Sequence, residues 1–217
     1  MDDVSAGITD LVLGAVLAGC AVRLHRAAEV HRWWRPMFWT AAGGALVGAA
    51  HHLLLRGSRR AADLSWSAVG VLVAVAISLF FAASAAELLD RRLARLSGRV
   101  LALGVLAYVL AVASGEAGGT TSLVVCESVT MAAIVGLWVS ALYGRRPGAG
   151  LVLLGIALCA VSTAGYAIPA GALRAGTGLD AQALQHVAQI PGLLLICHAV
   201  ASGAVLGRQP APARPDG

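Results

Sequence analysis

The chain contains no lysine and no asparagine, and only 12% of its 217 residues are charged. Without lysine it has no amine for a retinal-type Schiff base or for catalysis. Without asparagine it has no acceptor for N-glycosylation. All sixteen basic residues are therefore arginines, and the formal net charge is +5. These arginines fall in short segments between apolar runs. That distribution is not a nucleic-acid signature; it reads as topology signals and contacts to anionic lipid head groups. Cysteine is also scarce. Cys20, Cys126, Cys159 and Cys197 lie inside apolar runs with no CxxC pair, and read as small packing residues.

What the chain has in excess is apolar sequence: 59% of it is hydrophobic, against roughly 45–50% for a soluble domain. Seven apolar runs can be counted, most of them close to the twenty or so residues that cross a bilayer as a helix. They cover about Gly7 to Leu24, Met37 to Leu55, Ser65 to Leu89, Val100 to Ser114, Ser122 to Tyr143, Leu151 to Ile168 and Ala181 to Leu206. The connection Gly144 to Gly148 carries glycines and Pro147, which separate the fifth run from the sixth. The acidic start MDDVSAGITD reverses the charge order of a secretory signal, so the first run is expected to remain as a span. The expected fold is an all-α integral membrane bundle of seven transmembrane helices over residues 1–207. A disordered tail rich in Pro and polar residues follows over 208–217. With the N-terminus outside and the C-terminus cytoplasmic, twelve arginines fall on the inner side. Only Arg56, Arg59, Arg60 and Arg174 fall on the outer, an asymmetry that fits a multi-pass protein of the cell (inner or plasma) membrane. Trp33, Trp34, Trp39 and Trp138 are then expected at the inner interface and Trp66 at the outer.

In this topology the polar residues within the runs collect at the outer end. Asp10 lies in the first helix, His51 and His52 near the end of the second, and Asp63, Ser65 and Ser67 at the opening of the third. Glu127 lies in the fifth, Tyr166 at the end of the sixth, and Gln182, Gln185, His186 and Gln189 in the seventh. Gln182, His186 and Gln189 fall within about 60° of one another on a helix, a stripe that must face protein or water rather than lipid. Gly44 and Gly48 form a GxxxG pair suited to close helix packing, and His51 lies within about 60° of both. If that face meets the seventh helix, His51 or His52 and His186 come within range of a shared zinc. Asp10, Asp63 or Glu127 would then orient or deprotonate its water. A pocket of the same residues, with Gln182, Gln189 and Tyr166 on its wall, would equally serve a non-enzymatic transporter, channel or ligand-binding protein. Histidines on two helices also admit a haem carrier. Membrane lipids and a lipid or small-molecule substrate are the expected partners. Glu87, close to Asp90 and the following arginines, reads as an inner-interface charge, and His198 as a packing or interfacial residue.

A histidine near the end of the second span, an acid in the first and a histidine early in the seventh resemble the CREST superfamily. That group comprises seven-span membrane proteins and includes the alkaline ceramidases and adiponectin-receptor-like proteins. The resemblance implies an intramembrane zinc and hydrolysis of a lipid amide such as ceramide. His51 or His52 would match the family's second-span histidine and His186 one of its two seventh-span histidines. The chain departs from the pattern in reading Gln182-x-x-x-His186 where the family has HxxxH, with Ile190 at the next i+4 position. Val47 and Gly48 occupy the positions of the family's second-span serine, and only Asp63 is available for its third-span aspartate.

Overall fold

Runs of apolar residues with good helix formers between polar breaks should fold as helices, because only helices satisfy every backbone group within one segment in lipid. The computed structural model describes residues 2–27, 32–114, 119–162, 176–177 and 179–203. Each of the seven apolar runs has its described residues mainly on a helix. These are α1 (Asp2–Arg26), α2 (Trp34–Ala50), α3 (Arg59–Leu88), α4 (Arg91–Ala113), α5 (Gly119–Tyr143), α6 (Ala149–Ser162) and α7 (Ala181–Ala201). The described residues contain no strand. Six of the helices are long and apolar enough to cross a membrane, and α6 is a shorter apolar helix within the described residues. Tyr166 and the tail 208–217 lie outside the described residues.

Helices α3 and α4 start furthest ahead of their apolar runs, and caps explain both. Ser58 caps α3 by accepting the Ala61 N–H at 3.5 Å, so the helix opens at Arg59 rather than Ser65. Asp90 caps α4 by accepting the N–H groups of Arg92 and Leu93 at 2.8 and 2.9 Å. Arg91, Arg92, Arg95 and Arg99 therefore lie on helix rather than in a loop, as arginine's high helix propensity allows. Between α5 and α6 the chain reverses through Gly148, whose φ of 77° is a left-handed conformation that glycine adopts without strain.

Packing follows a ring: α1 lies on α2, α2 on α3, α3 on α5, α5 on α6, α6 on α7, and α7 returns to α1. Helix α4 packs chiefly on α3, outside that ring, and buries none of its residues. At the arginine-rich end the expected tryptophan belt is only partly present. Trp34 and Trp138 are wholly buried between helices, where each indole N–H finds a partner. Trp138 Nε1 donates to Ser84 Oγ at 2.9 Å, and Trp34 Nε1 donates to Glu87 Oε1 at 3.3 Å. Those acceptors are what makes a buried indole tolerable. Glu87 is thus a half-buried acceptor, and Arg146 Nη1 donates to its backbone oxygen at 3.0 Å. Among the cysteines, Cys20 and Cys197 are buried and the Cys197 thiol points to the Cys20 carbonyl at 3.9 Å, but Cys126 is exposed.

Ser84→Ala leaves the buried Trp138 N–H without its acceptor, which costs about 1–3 kcal/mol. A fall of several degrees in the unfolding midpoint of purified protein is the expected result. Trp138→Phe in the Ser84→Ala background should add little beyond the lost indole packing.

Candidate functional site

The site is assembled by the registry of α1, the end of α2 and α7. Asp180 caps α7 by accepting the Ala183 N–H at 2.7 Å, and its other oxygen accepts the Ser5 hydroxyl at 2.8 Å. That contact ties the first turn of α7 to the first turns of α1. Between one and two helical turns further along each, His186 meets Thr9 and Asp10. The third element comes from α2, which ends in a π-helical turn, His51–Leu55. Such wide turns recur at functional sites. Here one buries both adjacent histidines, each 6% exposed.

Asp10 is the centre of the cluster. It is 5% exposed, and a carboxylate buried in an apolar helix requires compensating partners. His186 is such a partner, its Nδ1 3.3 Å from Asp10 Oδ1, while His52 Nε2 stands farther off, 3.9 Å from Asp10 Oδ2. His186 Nδ1 also lies 3.2 Å from Thr9 Oγ1. The threonine hydroxyl donates its only proton to the carbonyls of Ser5 and Ala6, both at 3.0 Å. His186 Nδ1 is therefore the donor to Thr9 and Asp10, which leaves Nε2 of the neutral ring as an acceptor. Gln182 Nε2 donates to His52 Nε2 at 2.9 Å. His52 Nδ1 then carries the ring hydrogen, buried with no hydrogen-bond partner among the described residues. Gly48 makes room for the carboxylate: a Cβ there would stand 2.7 Å from Asp10 Oδ2.

Around this cluster lie two adjoining spaces. A mouth of about 420 Å³ is bounded by His51, His52, Arg56, Asp63, Trp66 and Gln182. Behind Trp66, Ser67 and Gln182, which border both, a chamber of about 630 Å³ runs between the helices. Its walls are largely apolar, including Leu13, Val69, Val73, Ile77 and Val112. Asp10, Gln182 and His186 stand on one part of them and Glu127 with Tyr108 on another. The volume lies in the range of small-molecule sites, and so does the pattern of an apolar wall with few polar groups.

The sequence can now be set beside known proteins. A family model, DUF6962, described as a family of unknown function, matches residues 5–205. The chain belongs to DUF6962. That description assigns no activity and makes no link to the CREST superfamily. No curated protein and no solved structure matches the chain.

In this DUF6962 chain the residues singled out by depth separate into groups. Asp10, His52, His186 and Gln182 converge. Glu127 is half-buried on α5 and borders the chamber without entering that cluster. His51 and Asp63 border the mouth beside His52, the two histidine ring centroids 5.1 Å apart, and Gln189 stands apart. His51 Nδ1 pairs with Ser65 Oγ at 2.8 Å, and its ring centroid lies 5.2 Å from that of Trp66. Asp63 is exposed within the second turn of α3, at the mouth. Gln189 uses its backbone oxygen to accept the Cys159 thiol at 3.7 Å and lines neither space. At the opposite end, His198 is exposed and Arg23 Nη2 lies 3.3 Å from its Nδ1. Among the described residues no group of three or more His, Cys, Asp and Glu side chains has an arrangement that would hold a metal ion. The donors engage one another, Thr9 and Gln182 by hydrogen bonding, so as placed they do not fit a zinc site of three protein ligands. Thr9, Ser5 and Asp180 were not legible as site residues from composition. The one available signal was the acid immediately before the seventh run, a helix-capping position.

Proposed function

We propose that this DUF6962 chain spans the membrane seven times, N-terminus outside, and binds an amphiphilic molecule in the chamber. The orientation rests on the arginine asymmetry. The polar group of the molecule hydrogen-bonds to Asp10, Gln182 and His186, and its apolar part lies along Leu13, Val69, Val73 and Ile77. The observation that carries this reading is the convergence of an acid and two histidines from three helices beside a largely apolar chamber. The Asp10 carboxylate and the His186 Nε2 acceptor, both on residues of the chamber wall, suit a ligand whose polar group carries hydrogen-bond donors. The opposite half of the bundle is poor in polar residues, which favours a binding chamber over an ion path.

A fluorescent short-chain ceramide is a suitable probe for the full chain in nanodiscs. Saturable binding is expected, weakened at least about tenfold by Asp10→Asn or His186→Gln, the scale of one lost hydrogen bond to a charged group. Equal, unsaturable signal from wild type and both variants would refute the chamber as a binding site.

A second reading is favoured by one feature: Asp10 fixes the tautomer of His186 as an acid fixes the base in hydrolytic sites. Under that reading the chain hydrolyses a lipid amide, as the resemblance to the CREST superfamily implies. The same probe, with water, then yields free fatty acid and amine. Intact probe after prolonged incubation leaves the binding reading alone.

A further inference from the structure

We infer that the cleft between α3 and α4 binds one anionic phospholipid, its phosphate held by arginines of α4 and an acyl chain lying between the two helices. Arg91, Arg95 and Arg99 recur every fourth residue and so share one face of α4 within about 80°. All three border a cleft of about 1180 Å³. Arg95 Nε donates to the Arg91 carbonyl at 3.0 Å, which holds its side chain along the helix. The nearby described acids are engaged elsewhere: Asp90 caps the helix and Glu87 accepts from Trp34. Neither borders the cleft. Three guanidinium groups of α4, with Arg32 also bordering the cleft and no described carboxylate there, match a phosphodiester by charge and by hydrogen-bond geometry.

Beyond the arginines the cleft becomes apolar, through Leu79, Ala82, Ala102, Val105 and Val109. From Arg99 to Val109 the helix rises about 15 Å, half of a hydrocarbon core of about 30 Å. The charged rim and the apolar trough are therefore spaced as the head group and chains of a single leaflet are. A second copy of this chain is a poorer occupant, since a two-fold contact through this face would bring the same arginines together. The inference rests on the helices spanning a membrane and is independent of the ligand chamber.

The test uses full-length protein in mild detergent, offered phosphatidylglycerol or phosphatidylcholine, with retained lipid counted by native mass spectrometry. One phosphatidylglycerol per chain should be held in preference to phosphatidylcholine. Removing arginines stepwise, to R91Q/R95Q/R99Q, should weaken retention roughly fivefold per arginine. Ala102→Phe keeps every charge but fills the trough, and should lose the lipid as well. Equal retention of the two lipids would overturn the inference. So would undiminished retention in Ala102→Phe, which would mark diffuse attraction without a seat, or a dimer abolished by that substitution. Alkaline carbonate extraction of the source membranes separates the two possible failures. Protein that stays in the pellet keeps the membrane reading intact whatever the lipid result.

Discussion

Gly48→Val is expected to cost the protein both its ligand site and about 1–3 kcal/mol of stability, the range for overpacking a filled interior. The new Cβ would stand 2.7 Å from Asp10 Oδ2 and 3.1 Å from Asp10 Cγ. Side-chain motion offers little relief, because Asp10 is short, buried on α1 and engaged with His186 at 3.3 Å. Either the carboxylate turns away from both histidines or α1 and α2 separate, and each outcome dismantles the cluster. A double-mutant cycle isolates the cause. In an Asp10→Ala background the obstructing carboxylate is gone, so Gly48→Val should cost much less in thermal unfolding than it does in wild type. Strictly additive costs would show that the glycine serves general helix packing instead. The GxxxG pair is thus split in function. Gly44 faces Leu72 and Val73 of α3 at ordinary contact distance, whereas Gly48 faces the carboxylate of α1.

That division shows what the sequence could and could not specify. A buried acid or histidine in an apolar run is expensive wherever it occurs, so Asp10, His52, Glu127 and His186 stand out from composition and depth alone. Their mutual placement depends on registry. For α1 and α7 it is set by Ser5 and Asp180, polar residues of helix starts that resemble any other cap or loop. The choice between His51 and His52 was undecidable from an α-helical wheel, because α2 leaves α-helical geometry at this point. The π-helical turn directs His51 to Ser65 and His52 towards Asp10 and Gln182. Hydropathy placed the start of α4 at Val100, since arginines lower the local mean. The i, i+4, i+8 spacing of Arg91, Arg95 and Arg99 was the available sign that the helix begins sooner. Trp34 and Trp138 read as interfacial rings because indoles favour that depth. Burial was decided by Glu87 and Ser84, acceptors contributed by a different helix.

Gly155→Leu should have the larger effect on the fold, with little or no folded protein accumulating. A Cβ at Gly155 would lie 2.6 Å from the backbone oxygen of Gly192, and a Cβ at Gly192 would collide with the carbonyl of Gly155 in return. Helices α6 and α7 touch here backbone to backbone, so no rotamer change can absorb an added group. In lipid, where apolar side chains gain nothing by leaving the solvent, such close contact between small residues is a main source of helix association. Pro191 precedes this contact within α7; it withdraws one N–H from the helix ladder and makes the support from α6 more important. Gly19→Ala is the matched control. Nothing lies within 4 Å of a Cβ there, and replacing a mid-helix glycine by alanine should stabilise by up to about 1 kcal/mol. The comparison with the site variants is diagnostic. Asp10→Asn should keep a folded protein that binds the ceramide probe poorly. Gly155→Leu should lose folding and binding together, because α7 carries Gln182 and His186 and is held in place by α6 and α1. Folded Gly155→Leu protein with wild-type binding would mean that α6 contributes nothing to positioning the site.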